Sequence, residues 1–435
     1  MQPEKILHSQ DVSDPARRRL LTNFVEKLKP PRLSYDVDLR LNRFLQTKIS
    51  RRIALASGIA AATTYVFPRV YGSVIEAMRM PDDLILQDLS EIDSNSVAFG
   101  SSPHNNSLEE MLSLNEQIGY DAPTTNLFHT WDISGRNWRD QKVGRPHVAP
   151  KVTNDELFHT AKTFVDHDVL TIITTGPGET GSDHRFRLLD LVEGDPGLVA
   201  YVRDFAQRCK DLEEMVIVRL FIEGNGNWLS YGNNGLNTSR DYIAAWKKTV
   251  DIFRKEGADN VLFFWCPNST INPINTAPID TYYPGPEYVD IVGANVFDRH
   301  QTELISILDG HLTFNFDGYF VQPDVSPLAN FGKDIVFLQK TEKPKVLGEF
   351  GSMRRNQART VYEETIAELA IRAGFKQLLW FFWNKTGQGI LERNWMPRED
   401  QGMIEMLNRM THAPYAYQKP KRNNREQLLY QLFAA

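Results

Sequence analysis

The segment MVIVRLFIEGNGNW, residues 215–228, passes from a short run of β-favouring apolar residues into glycine and asparagine. Valine, isoleucine and phenylalanine favour strands, whereas clustered glycine and asparagine mark the loops that end them. The segment therefore predicts a strand with Glu223 and Trp228 in the loop after its carboxyl end.

Seven similar runs occur between residues 95 and 410, and helix-length amphipathic segments separate them. The eight runs are Val97–Phe99, Thr125–Thr130, Val169–Thr175, Met215–Phe221, Val261–Trp265, Ile291–Phe297, Lys345–Gly348 and Leu378–Phe382. The helical segments include Asp155–Val165, Leu198–Leu212, Ser239–Glu256 and Gln357–Ala373, in which apolar residues recur every three or four positions. Eight strands alternating with helices predict the α/β fold of a closed (β/α)8 TIM barrel. An open doubly wound sheet is the alternative, but it normally carries fewer strands, and no Gly-x-Gly-x-x-Gly follows the first run.

The composition limits the classes of partner. The 435 residues, 41% of them hydrophobic, are enough for a barrel-sized core with an appendage. A formal net charge of -6 provides no general field for a polyanion, so we expect no nucleic-acid partner and favour a neutral or weakly charged one. Cys209 and Cys266 are the only cysteines, too few and too far apart to predict a metal cluster or a disulfide framework.

The chain before the barrel has a different character. We predict a polar extension over residues 1–50, a signal-like or anchor segment over 51–72, a linker over 73–94, the barrel over 95–410 and a tail over 411–435. The apolar run Ile53–Phe67 follows Ser50-Arg51-Arg52, which resembles a twin-arginine export motif. The run is shorter than the roughly 20 residues of a membrane span. We therefore expect export to the periplasm or outside the cell, with membrane association through residues 51–72; a small buried alanine-rich helix is the alternative.

Two carboxylates follow strands that should face each other across the barrel mouth. Catalytic groups of such barrels project from the carboxyl ends of the strands, where Glu223 follows the fourth run and Glu349 the seventh. Cleavage of a β-glycosidic bond with retention needs one carboxyl as acid and base and another as nucleophile, about 5–5.5 Å apart. Each acid taken alone could instead cap a helix or form an ion pair with a nearby arginine. Arg219, four residues before Glu223, either orients a carboxylate or forms a structural ion pair in the barrel wall.

Aromatic and amide side chains surround these strand ends. Sugars lay their C–H faces on aromatic rings and hydrogen-bond through their hydroxyls. The aromatic candidates for sugar contact are Trp131, Trp228, Trp265, Tyr283 and Trp380, and half of such rings would serve as core packing instead. The polar candidates are Asn225, Asn268, Asn295, Asp298 and Asn384. The glycines beside the two acids are expected to let sugar rings approach the backbone.

Four segments resemble glycoside hydrolase family 26, whose members hydrolyse β-mannans and β-glucans among other polysaccharides. Residues 219–228 resemble the acid/base segment of that family, Arg-Pro-x-His-Glu-Met-Asn-Gly-x-Trp, and residues 343–352 resemble its nucleophile segment. Residues 260–268 and 283–293 resemble its fifth and sixth strands. The resemblance implies a (β/α)8 barrel and a retaining mechanism with Glu223 as acid/base and Glu349 as nucleophile. It also implies a polysaccharide substrate such as β-mannan, β-glucan or a related exopolysaccharide, and it implies no cofactor and no metal.

Two residues depart from the family pattern. Ile222 stands where the family usually has a histidine, and Phe297, itself a candidate substrate contact, stands where a tyrosine normally supports the nucleophile. We therefore expect less polar surroundings for both carboxyls. A non-catalytic carbohydrate-binding barrel with a role in polysaccharide assembly is the alternative function. An unrelated barrel enzyme is disfavoured, since no histidine pair with metal-ligand spacing lies on a strand and no late phosphate loop is evident.

Overall fold

The computed structural model describes residues 81–131, 153–177, 186–269, 276–298, 327–352, 359–382, 384–385, 393–394, 396–397 and 400–419. The chain divides into two compact units, and the eight long strands all lie in the unit formed by Asp83–Val321 and Asn330–Ala435. The predicted extension and the predicted anchor segment lie outside the described residues, so both stay predictions. Among the described helices, none is long and apolar enough to cross a bilayer.

Eight parallel strands close into a barrel in sequence order, which confirms the predicted (β/α)8 fold. The strands are β1 (Ala98–Ser102), β2 (Thr124–Trp131), β3 (Leu170–Pro177), β4 (Val216–Leu220), β5 (Val261–Trp265), β6 (Ile291–Asp298), β7 (Lys345–Ser352) and β8 (Phe375–Phe381). A short antiparallel pair, β9 (Asn384–Lys385) and β10 (Arg393–Asn394), follows them. The ring closes where β1 pairs in parallel register with β8, from Ala98 opposite Gln377 to Ser102 opposite Phe381.

Helices connect the strands on the outside of the barrel. They are α1 (Leu108–Ile118), α2 (Asn154–Asp166), α3 (Leu188–Val192), α4 (Pro196–Asp211), α5 (Ser239–Glu256), α6 (Pro327–Lys340), α7 (Arg359–Arg372) and α8 (Gln401–Thr411). Helix α5 illustrates why these segments are helical: Thr238 and Asp241 form a reciprocal capping box at its start, and Gly257 ends it in the left-handed conformation. Its buried face carries Tyr242 and Trp246, both nearly inaccessible to solvent.

The barrel interior is filled by alternate residues of the strands. A buried cluster joins small and aliphatic side chains from β1, β3, β4, β6, β7 and β8 with Phe264 of β5 and Cys266. Tyr417 belongs to the same cluster, and its backbone N–H donates to the carbonyl of Val97. The described part of the predicted tail therefore packs against the amino-terminal end of the barrel as part of the same core.

Candidate active site

Glu223 lies at the carboxyl end of the barrel, three residues after β4, and three neutral donors hold its carboxylate. Its Oε1 accepts hydrogen bonds from Nδ2 of Asn268 at 2.7 Å and from Nδ2 of Asn295 at 2.9 Å. Its Oε2 accepts from Nε1 of Trp228 at 2.8 Å. The side chain is only 8% exposed, so these donors replace most of its water shell.

The backbone that presents Glu223 adopts an uncommon conformation. Phe221 has φ 45° and Glu223 has φ 51°, in the left-handed region that large side chains rarely adopt. Their amides are nevertheless satisfied, since Phe221 donates to the carbonyl of Thr175 and Glu223 donates to the carbonyl of Cys266. Tyr242 of α5 donates its hydroxyl to the carbonyl of Phe221 at 3.0 Å. Non-glycine residues in this region cluster at functional sites, where the surrounding contacts hold them.

Glu349 lies within β7 and is turned inward by an irregularity of that strand. On the β6 side, Ala294 pairs with Leu347 but Asn295 pairs with Glu349, so Gly348 is skipped. The register against β8 also shifts between Leu347 and Phe350. An extra residue in a strand reverses which side chains face inward, and here it directs Glu349 into the barrel beside Arg219.

Arg219 is fully buried and forms an ion pair with Glu349. Its Nε donates to Oγ1 of Thr174 at 2.6 Å, and that hydroxyl donates to Oδ1 of Asn126 at 2.5 Å. Burial, the largest single cause, would lower the pKa of the guanidinium, but the charge and hydrogen bond of Glu349 together with the other acidic groups nearby outweigh it, and the net pKa is raised. Arg219 therefore orients the carboxylate of Glu349 and also forms a structural ion pair in the barrel wall. The sequence left these two roles as alternatives, and the structure combines them.

Asn295 connects the two carboxylates. Its Nδ2 contacts Glu223, and its Oδ1 accepts from NH1 of Arg219 at 3.3 Å, whose NH2 contacts Glu349. Its side chain is fully buried and uses both amide atoms within the protein. This placement does not fit the predicted contact of Asn295 with a sugar hydroxyl.

The glycines beside the acids make room for protein side chains. A Cβ on Gly224 would lie 2.2 Å from the ring of Tyr242, and a Cβ on Gly226 would lie 2.4 Å from the ring of Trp228. A Cβ on Gly348 would lie 2.3 Å from Sγ of Cys266 and 2.9 Å from NH1 of Arg219. The space that we expected sugar rings to use is thus occupied by the residues that hold the carboxylates.

Three phenylalanines form a wall at the barrel mouth on the side of Arg219. Phe297 of β6 packs edge-on against Phe381 of β8 with ring centres 5.3 Å apart, and Phe128 of β2 packs against Phe381 at 6.0 Å. The guanidinium carbon of Arg219 lies 5.8 Å from the centre of the Phe128 ring. Phe128 and Phe297 are partly exposed. Phe297 thus lies at the mouth as predicted, in an apolar cluster.

The other predicted contacts divide into three groups. Trp228, half-buried, and Asn268 lie against Glu223. Asn225 is turned away, since its amide donates to the carbonyls of Asn268 and Ala277 and accepts from the N–H of Asn268. Asp298 ends β6 and Asn384 lies in β9, but their side chains are outside the described part of the structure.

Four predicted aromatic contacts lie in the layer between barrel and helices instead. Trp131 packs against Tyr201 and Phe221, and Trp380 stacks on Phe99. Trp265 and Tyr283 pack edge-on against each other and against Phe337 of α6. The three tryptophans are at most 4% exposed. Because the ring faces of these three tryptophans are covered by protein, the structure corrects the expectation that they form sugar platforms, whereas the contact predicted for the partly exposed Tyr283 stays a prediction.

The expectation of less polar carboxyl surroundings also needs correction. The carbonyl of Ile222 accepts a hydrogen bond from the hydroxyl of Tyr231 at 2.9 Å, while Glu223 receives its donors from Asn268, Asn295 and Trp228. The amides of Asn268 and Asn295 and the indole of Trp228 thus give Glu223 polar surroundings although Ile222 offers no polar side chain. Among the described residues, no group of three or more histidine, cysteine, aspartate or glutamate side chains is placed to hold a metal.

Sequence reasoning missed several members of the site. We call Glu223, Glu349, Arg219 and Asn295 the carboxylate network. Two missed residues contact this network, Thr174 and Cys266. Two more lie at the mouth, Phe128 and Phe381, and all four face the barrel interior. Inward positions alternate along a strand, so Thr174 could have been found from its place two residues after the interior Ile172.

Comparisons with known proteins show which proteins this chain resembles. The model of glycosyl hydrolase family 26 matches residues 179–309, a range that includes Glu223 and ends before Glu349. Endoglucanase H of Acetivibrio thermocellus is 29% identical over 194 residues, which are 43% of this chain and 19% of that protein. The chain thus matches about a fifth of the length of that relative. The chain resembles glycoside hydrolase family 26, and the two matches support a glycoside hydrolase.

Solved structures share the fold. The family 26 β-mannanase BoMan26A of Bacteroides ovatus superposes with a TM-score of 0.50 at 15% identity, covering 76% of this chain and 94% of that one. A double mutant of an endo-β-1,4-mannanase from Cellulomonas fimi gives a TM-score of 0.51 at 16% identity, covering 74% and 72% of the two chains. At such identities the likeness concerns the fold alone.

Proposed function

We propose that the chain is a retaining, endo-acting glycoside hydrolase of β-linked polysaccharides, with Glu223 as acid/base and Glu349 as nucleophile. The observation that carries this proposal is the difference between the two carboxylates. Glu349 faces a guanidinium, which favours its ionised form, as a nucleophile requires. Glu223 is held by neutral donors, two side-chain amides and an indole, and we assign to it the second role, that of acid and base. Two carboxyls in such different environments suit two different roles.

The reaction would run in two steps. Glu349 attacks the anomeric carbon while Glu223 gives its proton to the glycosidic oxygen, and the C–O bond to the leaving sugar breaks. Glu223, now ionised, takes a proton from water, and the resulting oxygen attacks the anomeric carbon and releases Glu349. Arg219 and Asn295 join the two carboxyls in one buried network, and the retaining mechanism requires a carboxyl separation of about 5–5.5 Å.

The described mouth supports a neutral substrate. Trp228 is partly exposed beside Glu223, and the phenylalanine wall lies near Arg219, so both sides of the site offer ring surface to sugar C–H groups. Arg219 is buried and already paired with Glu349, so it does not attract a substrate carboxylate. We therefore place β-glucan and β-mannan, the substrate types in the names of the relatives, ahead of uronic-acid polymers.

The first experiment determines whether sugar bonds are cut and with which stereochemistry. The protein is incubated with soluble β-glucan and β-mannan, and proton NMR follows the anomeric signals of the first products. We expect short oligosaccharides that retain the β configuration. Products of the α configuration would overturn the retaining mechanism, and binding of the glycans without turnover would favour the non-catalytic carbohydrate-binding alternative.

The second experiment separates the two carboxylates. On an aryl glycoside whose leaving group departs without protonation, Glu349→Ala should abolish turnover, whereas Glu223→Ala should still form the glycosyl-enzyme and hydrolyse it slowly. Azide, which needs no general base, should then restore turnover of Glu223→Ala and yield a β-glycosyl azide. Identical behaviour of the two variants, without azide rescue, would contradict the assignment.

We also propose that the protein is exported and associates with a membrane through residues 51–72. The basic pair Arg51-Arg52 before the apolar run Ile53–Phe67 supports this proposal. Cell fractionation of the full-length protein, with Arg51→Lys plus Arg52→Lys as the matched variant, tests it. Wild-type protein that remains in the cytoplasmic fraction would contradict it.

A further inference from the structure

Asn295 contacts both halves of the carboxylate network with one amide group. Its Nδ2 lies 2.9 Å from Oε1 of Glu223, while its Oδ1 lies 3.3 Å from NH1 of Arg219. This guanidinium pairs with Glu349 through its other terminal nitrogen. The amide of Asn295 therefore lies between the carboxylate of Glu223 and the guanidinium of Arg219, which balances the charge of Glu349.

The orientation of this amide decides what Glu223 meets. If the amide were rotated by half a turn, its oxygen would face the carboxylate of Glu223, and its two N–H groups would face a cationic donor. The thiol of Cys266 lies 3.1 Å from Oδ1 of Asn295 and donates to it. The amide oxygen thus accepts from the thiol as well as from Arg219, and both donors oppose the rotated form.

Cys266 is placed for this contact by its neighbours. It is fully buried, and the absence of a Cβ at Gly348 leaves the space that its sulfur occupies. Burial raises the pKa of the Cys266 thiol to about 12, so the sulfur keeps its proton over the range in which glycoside hydrolysis would be measured. A protonated thiol is a donor at all these pH values.

We propose that Asn295 is a positioning residue that couples the protonation of Glu223 to the state of Glu349, and that the Cys266 thiol fixes its amide in the coupling orientation. This inference rests on the proposed function. While Glu349 is ionised it neutralises Arg219. Once Glu349 carries the sugar as an ester its charge is gone, and the unbalanced guanidinium polarises the amide of Asn295 more strongly. The stronger N–H donation then favours ionised Glu223, the form that must accept a proton from water in the second step.

The titratable and charged groups facing Glu223 come from four elements. They are Arg219 on β4, Glu349 on β7, Cys266 after β5 and Tyr231 in the loop before α5. Burial first and the charge of Glu223 second raise the pKa of Tyr231 well above its usual range. With Tyr231 and Cys266 both neutral, Arg219 and Glu349 are the charges that the coupling acts on.

The test uses an aryl glycoside with an activated leaving group, so that kcat reports the second step. For Cys266→Ala we expect kcat to fall about fivefold and the acid limb of the kcat–pH profile to move to higher pH. Cys266→Ser keeps a donor to the amide oxygen and should restore both values. Cys209→Ala is the matched control, because Cys209 is equally buried but lies on α4, where burial alone raises its pKa. It should leave the pH profile unchanged.

A second variant keeps the inference testable if Cys266→Ala does not fold. Asn295→Asp has nearly the same shape but presents oxygen, and negative charge, to Glu223. It should lower kcat at least tenfold and move the acid limb further in the same direction. An unshifted limb in active Cys266→Ala or Asn295→Asp, or equal shifts in Cys209→Ala, would overturn the coupling. Absence of wild-type turnover would instead remove the proposed function itself.

Discussion

At the residue scale, the site depends on side chains that have no room to move. Arg219 bonds to Thr174, Asn295 and Glu349 at once, and a flexible lysine has no planar fork with which to make the same contacts. Such a pair of buried charges is held by mutual neutralisation together with complete hydrogen bonding. The positions most sensitive to change are therefore the small residues that leave room for the arginine.

Gly348→Ala should disturb the carboxylate network without touching either carboxylate. The new Cβ would lie 2.3 Å from Sγ of Cys266 and 2.9 Å from NH1 of Arg219, so the arginine or the strand must shift. We expect activity to fall at least tenfold and the unfolding free energy to fall by about 1–3 kcal/mol. Initial rates and chemical denaturation measure both effects.

Gly402→Ala is the matched control for this substitution. Its Cβ on α8 would meet its nearest neighbours at 3.6 Å, an ordinary contact, so we expect unchanged rates and equal or slightly higher stability. Wild-type activity in Gly348→Ala would show that the spacing around Arg219 is less strict than the contacts indicate.

The residue scale is also where sequence reasoning reached its limit. The sequence singles out Glu223 and Glu349 as candidates because each stands at the end of an apolar run, but it does not show that Trp265 faces outward. Its neighbours Phe264 and Cys266 point into the barrel, and alternation turns Trp265 outward. Both faces of a barrel strand are apolar, so the sequence of β5 carries no sign of which face is which. The bulge at Gly348 likewise reverses the alternation without any marker in composition.

At the element scale, strands and helices were predictable because their patterns repeat. Strand β5 and helix α5 begin and end where the sequence patterns do, and the capping residues of α5 explain its limits. The loop after β4 was not predictable in the same way, since its shape depends on tertiary contacts with α5. Tyr242 of that helix holds the carbonyl of Phe221, and the φ values of Phe221 and Glu223 are both positive.

Tyr242→Phe should therefore affect activity as well as stability. Loss of its hydroxyl leaves the buried carbonyl of Phe221 without this donor, at a cost of about 1–2 kcal/mol, and loosens the backbone that presents Glu223. We expect kcat to fall severalfold with little change in KM. Steady-state kinetics and denaturation curves provide the two readings.

Tyr120→Phe provides the comparison for this prediction. The hydroxyl of Tyr120 donates to the carbonyl of Tyr417 at 2.8 Å, a similar bond near the amino-terminal end of the barrel. The hydroxyl also accepts from the N–H of Phe99 at 3.4 Å, so its loss should cost at least as much free energy but leave kcat unchanged. Equal kinetic losses in both variants would mean that the Tyr242 effect reflects stability rather than placement of Glu223.

At the scale of the whole molecule, the residues of the core cluster and the candidate catalytic residues lie at opposite ends of the barrel. Tyr417 packs with Ala98 and Leu170, at the start of their strands, whereas the carboxylates lie at the opposite ends. In such barrels the amino-terminal face serves stability and the carboxyl-terminal face carries the site.

Tyr417→Ala should lower stability and spare catalysis. Removing this buried ring leaves a cavity in the core cluster, for which we expect a loss of about 3–5 kcal/mol. Assayed well below its melting temperature, the variant should keep the wild-type kcat. A lower kcat in fully folded protein, checked by circular dichroism, would contradict the separation, and Leu236→Ala, at a position 40% exposed, controls for truncation itself.

The close packing beneath the two carboxylates also limits how the candidate site can diversify. Arg219 and Cys266 are fully buried, and a Cβ added at Gly348 would meet both, so a mutational library aimed at these positions should consist mostly of inactive variants. The rings of Phe128 and Phe297 are partly open to solvent, and their replacement removes no donor of Glu223, whereas Trp228 donates to that carboxylate and must be kept. New substrate preferences should therefore arise by substitutions at the mouth, while the buried residues around the carboxylates stay constant. Selection experiments can be confined to the exposed positions of the mouth.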